Sequence, residues 1–236
     1  MTARPTVTII TPVLNRAGMM PAALESLAAQ ACPSLEHIVV DGGSTDGTQQ
    51  LAADAGAQVI EAPGTSIYEA LNIGLGAASG DLVGLLNSDD VYAPAAVARA
   101  RAAFAQDGAL EIVRGRAATE LFADGRWQTS DPTPGPDPAL TLDSVLFGAS
   151  NINACFFRPS LIARVGLFDT NYPISADREW LMRAILAGAP AEPFTTRSMC
   201  TAPILARSPS GETNQLRQPG SSNTRLSPRP RSHAPG

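Results

Sequence analysis

The chain has 236 residues, 44% apolar and 17% charged, enough to build one α/β domain with a real core and an appendage. A net charge of −5 and an aromatic content of 5% exclude a protein that works by neutralising phosphate backbones or stacking bases, so no nucleic-acid partner is expected. All 17 basic residues are arginine, which removes lysine chemistry altogether, Schiff bases and the Walker-A lysine included.

In chain order, Val7 to Val13 is a short β-rich apolar run. Met20, Leu24, Leu27 and Ala31 follow at spacings of 4, 3 and 4, one face of a helix. Leu35 to Val40 is the next strand and ends at Asp41-Gly42-Gly43. Thr48 to Ala55 reads as a short helix stopped by Gly56, and Ala57 to Glu61 as a strand. Ser66 to Ala78 is helical and closed by Gly80, Leu82 to Leu86 is a fourth strand, and Pro94 to Gln106 is an alanine-rich helix. Residues 110–129 pattern as a hairpin turning at Asp124-Gly125, and the prolines of 131–138 require a loop. Asn153 to Phe157 is strand-like, Pro159 to Val165 a short helix, and Ala176 to Ala187 a longer helix ended by Gly188.

Strands alternating with helices, the strands nearly continuous in apolar residues, predict an α/β fold with a mostly parallel sheet covered on both faces. Such sheets place ligands beyond the carboxyl ends of their strands. Residues 197–236 carry one acid, Glu212, against six arginines among many Pro, Ser and Gly, and read as a disordered tail. No apolar run approaches the roughly 18 residues of a bilayer span. A cytoplasmic protein is the expectation, with loose association at the inner face of the membrane left open. Cys32, Cys155 and Cys200 form no CxxC, so neither a zinc ribbon nor a disulfide scaffold is indicated.

Four segments could carry chemistry. Asp41 to Thr48 (DGGSTDGT) follows the second strand; its glycines let backbone amides approach a ligand, and Asp41 should face the crevice. The plainer reading is a turn capped by Ser44 or Asp46. Asn87-Ser88-Asp89-Asp90 follows the fourth strand. Two adjacent carboxylates about 4 Å apart repel by roughly 4 kcal/mol at an effective dielectric near 20, and a hard cation, Mg²⁺ or Mn²⁺, would cancel that. The plainer reading is a solvated turn. Asp177 opens the last long helix, either as a favourable charge at the positive end of the helix or as a general base. Glu179 and Arg183, four residues apart, suit a surface ion pair. In Gly64 to Gly74 a packing stripe leaves Asn72 on another face, where it could touch a ligand.

These segments together resemble family 2 glycosyltransferases of the GT-A fold, among them short bacterial cell-surface polysaccharide enzymes. The resemblance runs through Thr8-Ile9-Ile10-Thr11-Pro12-Val13-Leu14-Asn15, His37 to Thr48, Ile67 to Gly74, Gly80 to Asp90, Phe156-Phe157-Arg158, Gly166 to Asp169 and Asp177 to Arg183. It implies a domain over 1–196, with a nucleotide-binding half (1–110) and an acceptor half (111–196). It further implies that Thr11, Pro12, Val13 and Asp41 form the base pocket. Asn15, Gly43 and Ser44 would hold the nucleoside or its loop, with Asn72 and Arg183 also on the donor side. Asn87-Ser88-Asp89 stands where the family writes its DxD motif. Its first carboxylate is here an amide, which leaves Asp89, with Asp90, to hold the metal. Asp177 corresponds to the catalytic base. The implied activity is inverting transfer of a sugar from a nucleoside-diphosphate donor, UDP favoured, to a saccharide or lipid-linked acceptor. Two alternatives stand beside it: a non-catalytic or C-terminally truncated nucleotide-sugar binder, and a nucleotidyltransferase. The second needs a glycine-rich basic loop that Asn15-Arg16-Ala17-Gly18 does not supply.

Overall fold

The computed structural model describes residues 6–193 apart from 31, 116, 118, 124–125, 131–139 and 147–150. The Asp124-Gly125 turn, the proline loop and the 197–236 tail therefore lie outside the described residues. A seven-stranded sheet runs in the order β3 (Gln58–Glu61), β2 (Leu35–Asp41), β1 (Val7–Val13), β4 (Leu82–Leu85), β8 (Cys155–Phe157), β5 (Ile112–Arg114), β9 (Ala191–Pro193). The first four are parallel, with Val13 level with Asp41 across β1 and β2. β8 is antiparallel to both β4 and β5, so the sheet is mixed at this end. A separate two-stranded ribbon pairs β6 (Thr119–Ala123) with β7 (Arg126–Ser130).

The alternation of β1 explains the layering. Ile10 joins a core cluster with Tyr68, Leu71 and Leu75 of α3 (Ile67–Ala77) and Trp180, Leu181 and Ala184 of α7 (Ala176–Leu186). Val7 and Ile9 join another cluster with Ala23 and Leu27 of α1 (Met20–Ala28) and Val97, Ala100 and Phe104 of α4 (Ala96–Gln106). Gly84 in β4 faces this second cluster, where a Cβ would come within 2.9 Å of both Ile9 and the Tyr92 hydroxyl. α2 (Thr48–Asp54) packs beside β3.

Three expectations need correction. The hairpin starts at 119 rather than 110, because Ile112 to Arg114 is buried and pairs inside the main sheet. The segment before β8 is a 3₁₀ turn over Ile152–Ala154, with Asn151 accepting from the Asn153 amide at 2.9 Å. A short helix, α5 (Leu142–Leu146), and the edge strand β9 were not anticipated. α6 (Pro159–Val165) has the expected bounds.

Candidate active site

The loops after β1, β2 and β4 and the start of α3 enclose an open cleft of 420 Å³. Its wall includes Pro12, Val13 and Leu14 from β1 and its loop, Gly42 after β2, and Asn87, Ser88 and Asp89 after β4. Thr65 and Ser66 just before α3, and Ile67 and Ala70 within it, complete the wall, and the start of α3 is fixed by a capping box between Ser66 and Glu69. Among the described residues, Arg16 is the only cationic side chain lining the cleft. The absence of a glycine-rich basic pattern around it hid this residue in the sequence. The α3 wall was hidden because Ile67 and Ala70 carry no reactive group.

The loops after β1 and β2 are tied to each other. Asn15 adopts a left-handed backbone, φ 53°, and its amide donates to Ser44 Oγ at 2.8 Å. Its Oδ1 accepts from the Thr45 amide at 2.9 Å. Asp46 accepts from the amides of Ala17 at 3.0 Å and Thr48 at 3.1 Å, and these bonds with the Thr48 hydroxyl hold its carboxyl below the usual range. Asn15 and Ser44 thus brace the loop around the cleft and are not part of its wall.

Asp41 is fully buried at the end of β2. Its Oδ1 accepts from the amides of Gly43 and Ser44, both at 2.6 Å, and its Oδ2 is buried with no hydrogen-bond partner. The amides expected to reach a ligand are therefore turned back onto Asp41. Thr11 is also withdrawn: its hydroxyl lies 3.0 Å from His37 Nε2 and is buried. Burial pushes the His37 imidazole down to about 4.

The four residues after β4 make a turn, with the Asp90 amide donating to the Asn87 carbonyl at 3.1 Å. Asp89 lines the cleft, whereas Asp90 is buried and accepts from Asn153 Nδ2 at 2.7 Å. Burial first, and then the charge of Asp89, push the Asp90 carboxyl up to about 7. The two carboxylates expected to share one metal thus face different environments, Asp89 the cleft and Asp90 the Asn153 amide. The repulsion between neighbouring carboxylates is relieved by burying one and favouring its neutral form. Among the described residues no group of three or more His, Cys, Asp or Glu side chains could hold a metal. Asp89 with the Asn87 and Ser88 oxygens still fits a hard cation of the kind that takes one or two carboxylates and completes its shell with phosphate and water.

Asn72 and Arg183 are not in the cleft. Asn72 donates from Nδ2 to the Phe168 carbonyl and accepts at Oδ1 from the Phe168 amide, both at 2.9 Å. Arg183 grips Glu179 at 2.6 and 2.8 Å and donates to the carbonyls of Val165 and Leu167. Trp180 Nε1 takes the carbonyl between them, Gly166, at 2.8 Å. Together the three side chains pin the 165–168 loop after α6. Asp177 is not on the cleft wall either. It lies in the first turn of α7, where the Tyr68 hydroxyl donates to its Oδ1 at 2.9 Å, and Tyr68 follows the cleft residue Ile67. Tyr68 is a site residue the sequence did not single out; its place in a packing stripe masked its hydroxyl.

The arrangement is an open cleft at strand ends, one carboxylate on its wall, and a second carboxylate reached through α3. The Glycosyl transferase family 2 model matches residues 8–163. The chain belongs to glycosyl transferase family 2. An uncharacterized glycosyltransferase of Mycobacterium tuberculosis is 34% identical over 204 residues, covering 84% of this chain and 74% of that protein. A PGL/p-HBAD biosynthesis glycosyltransferase of Mycobacterium bovis is 31% identical over 189 residues, covering 77% of this chain and 70% of that one. Among solved structures, S. aureus TarS 1-349 in complex with UDP-GlcNAc superposes with a TM-score of 0.65 at 20% identity, over 82% of this chain and 57% of that one. The mannosyltransferase PcManGT from Pyrobaculum calidifontis, in complex with GDP-Man and Mn²⁺, gives 0.63 at 21% identity, over 85% and 57%. These likenesses establish the GT-A fold, and the family 2 chain spans under two thirds of either solved neighbour.

Proposed function

We propose that this family 2 domain transfers a sugar from a nucleoside-diphosphate donor to an acceptor hydroxyl with inversion at the anomeric carbon. The observation that carries the reading is the cleft itself. It is of ligand size at 420 Å³ and joins the ends of β1 and β2 to Asp89 after β4. Relatives named as glycosyltransferases, and a fold shared with proteins solved with UDP-GlcNAc and GDP-Man, support it.

In this reading Pro12, Val13 and Gly42 receive the base, and Asp41, buried next to Gly42, holds the loop behind that wall through the Gly43 and Ser44 amides. Arg16 offers its charge to the diphosphate. Asp89, with the Asn87 and Ser88 oxygens, would hold Mg²⁺ or Mn²⁺, which when bound supplies Lewis-acid stabilisation of the leaving diphosphate. Asp177 takes the proton of the acceptor hydroxyl as its oxygen attacks the anomeric carbon and the bond to the diphosphate breaks. The acceptor is a saccharide or a lipid-linked saccharide of the cell envelope. The protein works in the cytoplasm or at the inner face of the membrane.

The test is release of nucleoside diphosphate from UDP-glucose, UDP-GlcNAc and GDP-mannose with Mn²⁺, with and without glycoside acceptors. Release that stops with EDTA and in Asp177→Asn, while Asp177→Asn still binds donor, supports the reading. Donor binding with no release under any condition favours a non-catalytic nucleotide-sugar binder.

A further inference from the structure

Tyr68 is buried to 7% exposure, its ring tilted against Phe168 at 5.8 Å. A packing role would be met by phenylalanine. The hydroxyl does something else: it lies 2.9 Å from Asp177 Oδ1 and 3.0 Å from the Ile174 carbonyl. A phenol has one proton for these two acceptors, and the bond to an ionised carboxylate is the stronger. Burial and the charge of Asp177 push the Tyr68 phenol up to about 12, so it remains a donor at neutral pH. The other carboxylate oxygen, Asp177 Oδ2, has no hydrogen-bond partner among the described residues.

We propose that Tyr68 is the positioning residue of the candidate base: its hydroxyl pins Asp177 Oδ1, fixes the carboxylate's rotation, and leaves Oδ2 to take the acceptor's proton. The same hydroxyl sits beside the Ile174 carbonyl and so fixes the approach to α7. Ile67, one residue earlier, lines the donor cleft, so a single helix turn of α3 sets the base relative to the donor. The inference rests on Asp177 being the base. It adds that the base is oriented from the donor side of the fold, not by its own helix.

The experiment uses the full chain and the donor that turns over among UDP-glucose, UDP-GlcNAc and GDP-mannose with Mn²⁺. Tyr68→Phe should lower kcat by about tenfold to a hundredfold, the loss typical of a misplaced catalytic group. Donor KM should stay within about twofold, because the mutation changes orientation and not donor contacts. A role in folding alone would lower turnover only by lowering the folded fraction, so a Tyr68→Phe kcat that returns to the wild-type value once scaled to folded protein would overturn the proposal. If Asp177→Asn itself keeps wild-type turnover, the base assignment fails instead. A second measurement needs no turnover. The chain has three tyrosines, and labelling their Cζ carbons with ¹³C gives signals that Tyr68→Phe assigns. Asp177→Asn should shift the Tyr68 signal at neutral pH; an unmoved signal means the hydrogen bond is absent and the proposal is wrong.

Discussion

Asp89 and Asp90 are neighbours in sequence but occupy opposite environments: Asp89 on the cleft wall, Asp90 buried against the Asn153 amide. The turn closed between Asn87 and Asp90 produces this separation, since consecutive side chains of a tight turn diverge. Asp89→Asn is therefore expected to weaken binding of UDP with Mn²⁺ by at least about tenfold, with melting little changed, because the carboxylate lost is half-buried on the cleft wall. Asp90→Asn keeps an oxygen for Asn153 and removes a carboxyl that burial disfavours in its charged form. Its melting temperature should equal or exceed the wild type. Asp90→Ala, which strands the Asn153 amide, should cost about 1–3 kcal/mol. Calorimetric titration and thermal unfolding of the three variants check this. Equal loss of metal-nucleotide binding in Asp89→Asn and Asp90→Asn would restore the paired site.

Asn72 makes both hydrogen bonds of its carboxamide to one backbone residue, Phe168. It belongs to the clamp on the 165–168 loop. Asn72→Ala should destabilise the fold by about 1–3 kcal/mol, as expected when buried backbone groups lose their partners. Donor affinity should not change. Urea unfolding and donor titration separate the two, and a variant of normal stability with weakened donor binding contradicts the assignment.

The elements of the parallel half were readable because each strand is an apolar run bounded by turn residues. Val7 to Val13 and Pro159 to Val165 have the anticipated bounds. Ile112 to Arg114 was less readable: three residues carry no period, and their place between β8 and β9 is decided by partners far along the chain. Within the site, residue types gave the loops but not the directions. Asp90, Asn72 and Arg183 have the same chemistry whether they face a ligand or a backbone carbonyl. Burial, a tertiary property, decides between those outcomes. Tyr68 is the converse case, a polar atom concealed on an apolar stripe.

His37 gives a pH dependence whose sign is fixed by its environment. Its ordinary value is 6.5, and burial holds it down to about 4. Between those values the unfolded chain binds a proton that the folded chain does not, so stability falls as pH drops from about 6.5 towards 4. Above that window the residue is neutral in both states and contributes no slope. His37→Gln retains an amide near the Thr11 hydroxyl and does not titrate. Its melting temperature should vary less than that of the wild type between pH 6.5 and 4. Parallel curves for the two proteins would show that His37 is not the group responsible.

Arg183 has two roles that substitution can separate. The pair with Glu179 is partly exposed, with 30% and 21% of the side chains accessible, and such pairs contribute no more than about 1 kcal/mol. The donations to Val165 and Leu167 satisfy backbone carbonyls of a loop that also bears Gly166, held at φ 87°. These bonds should dominate. Glu179→Gln is expected to cost under about 1 kcal/mol. Arg183→Lys should cost about 2 kcal/mol despite keeping the charge, because an ammonium cannot fork between two carbonyls and a carboxylate. Unfolding free energies in low and high salt are the measurement. If Glu179→Gln costs as much as Arg183→Lys, and high salt erases both losses, the ion pair rather than the loop clamp holds this end of the fold together.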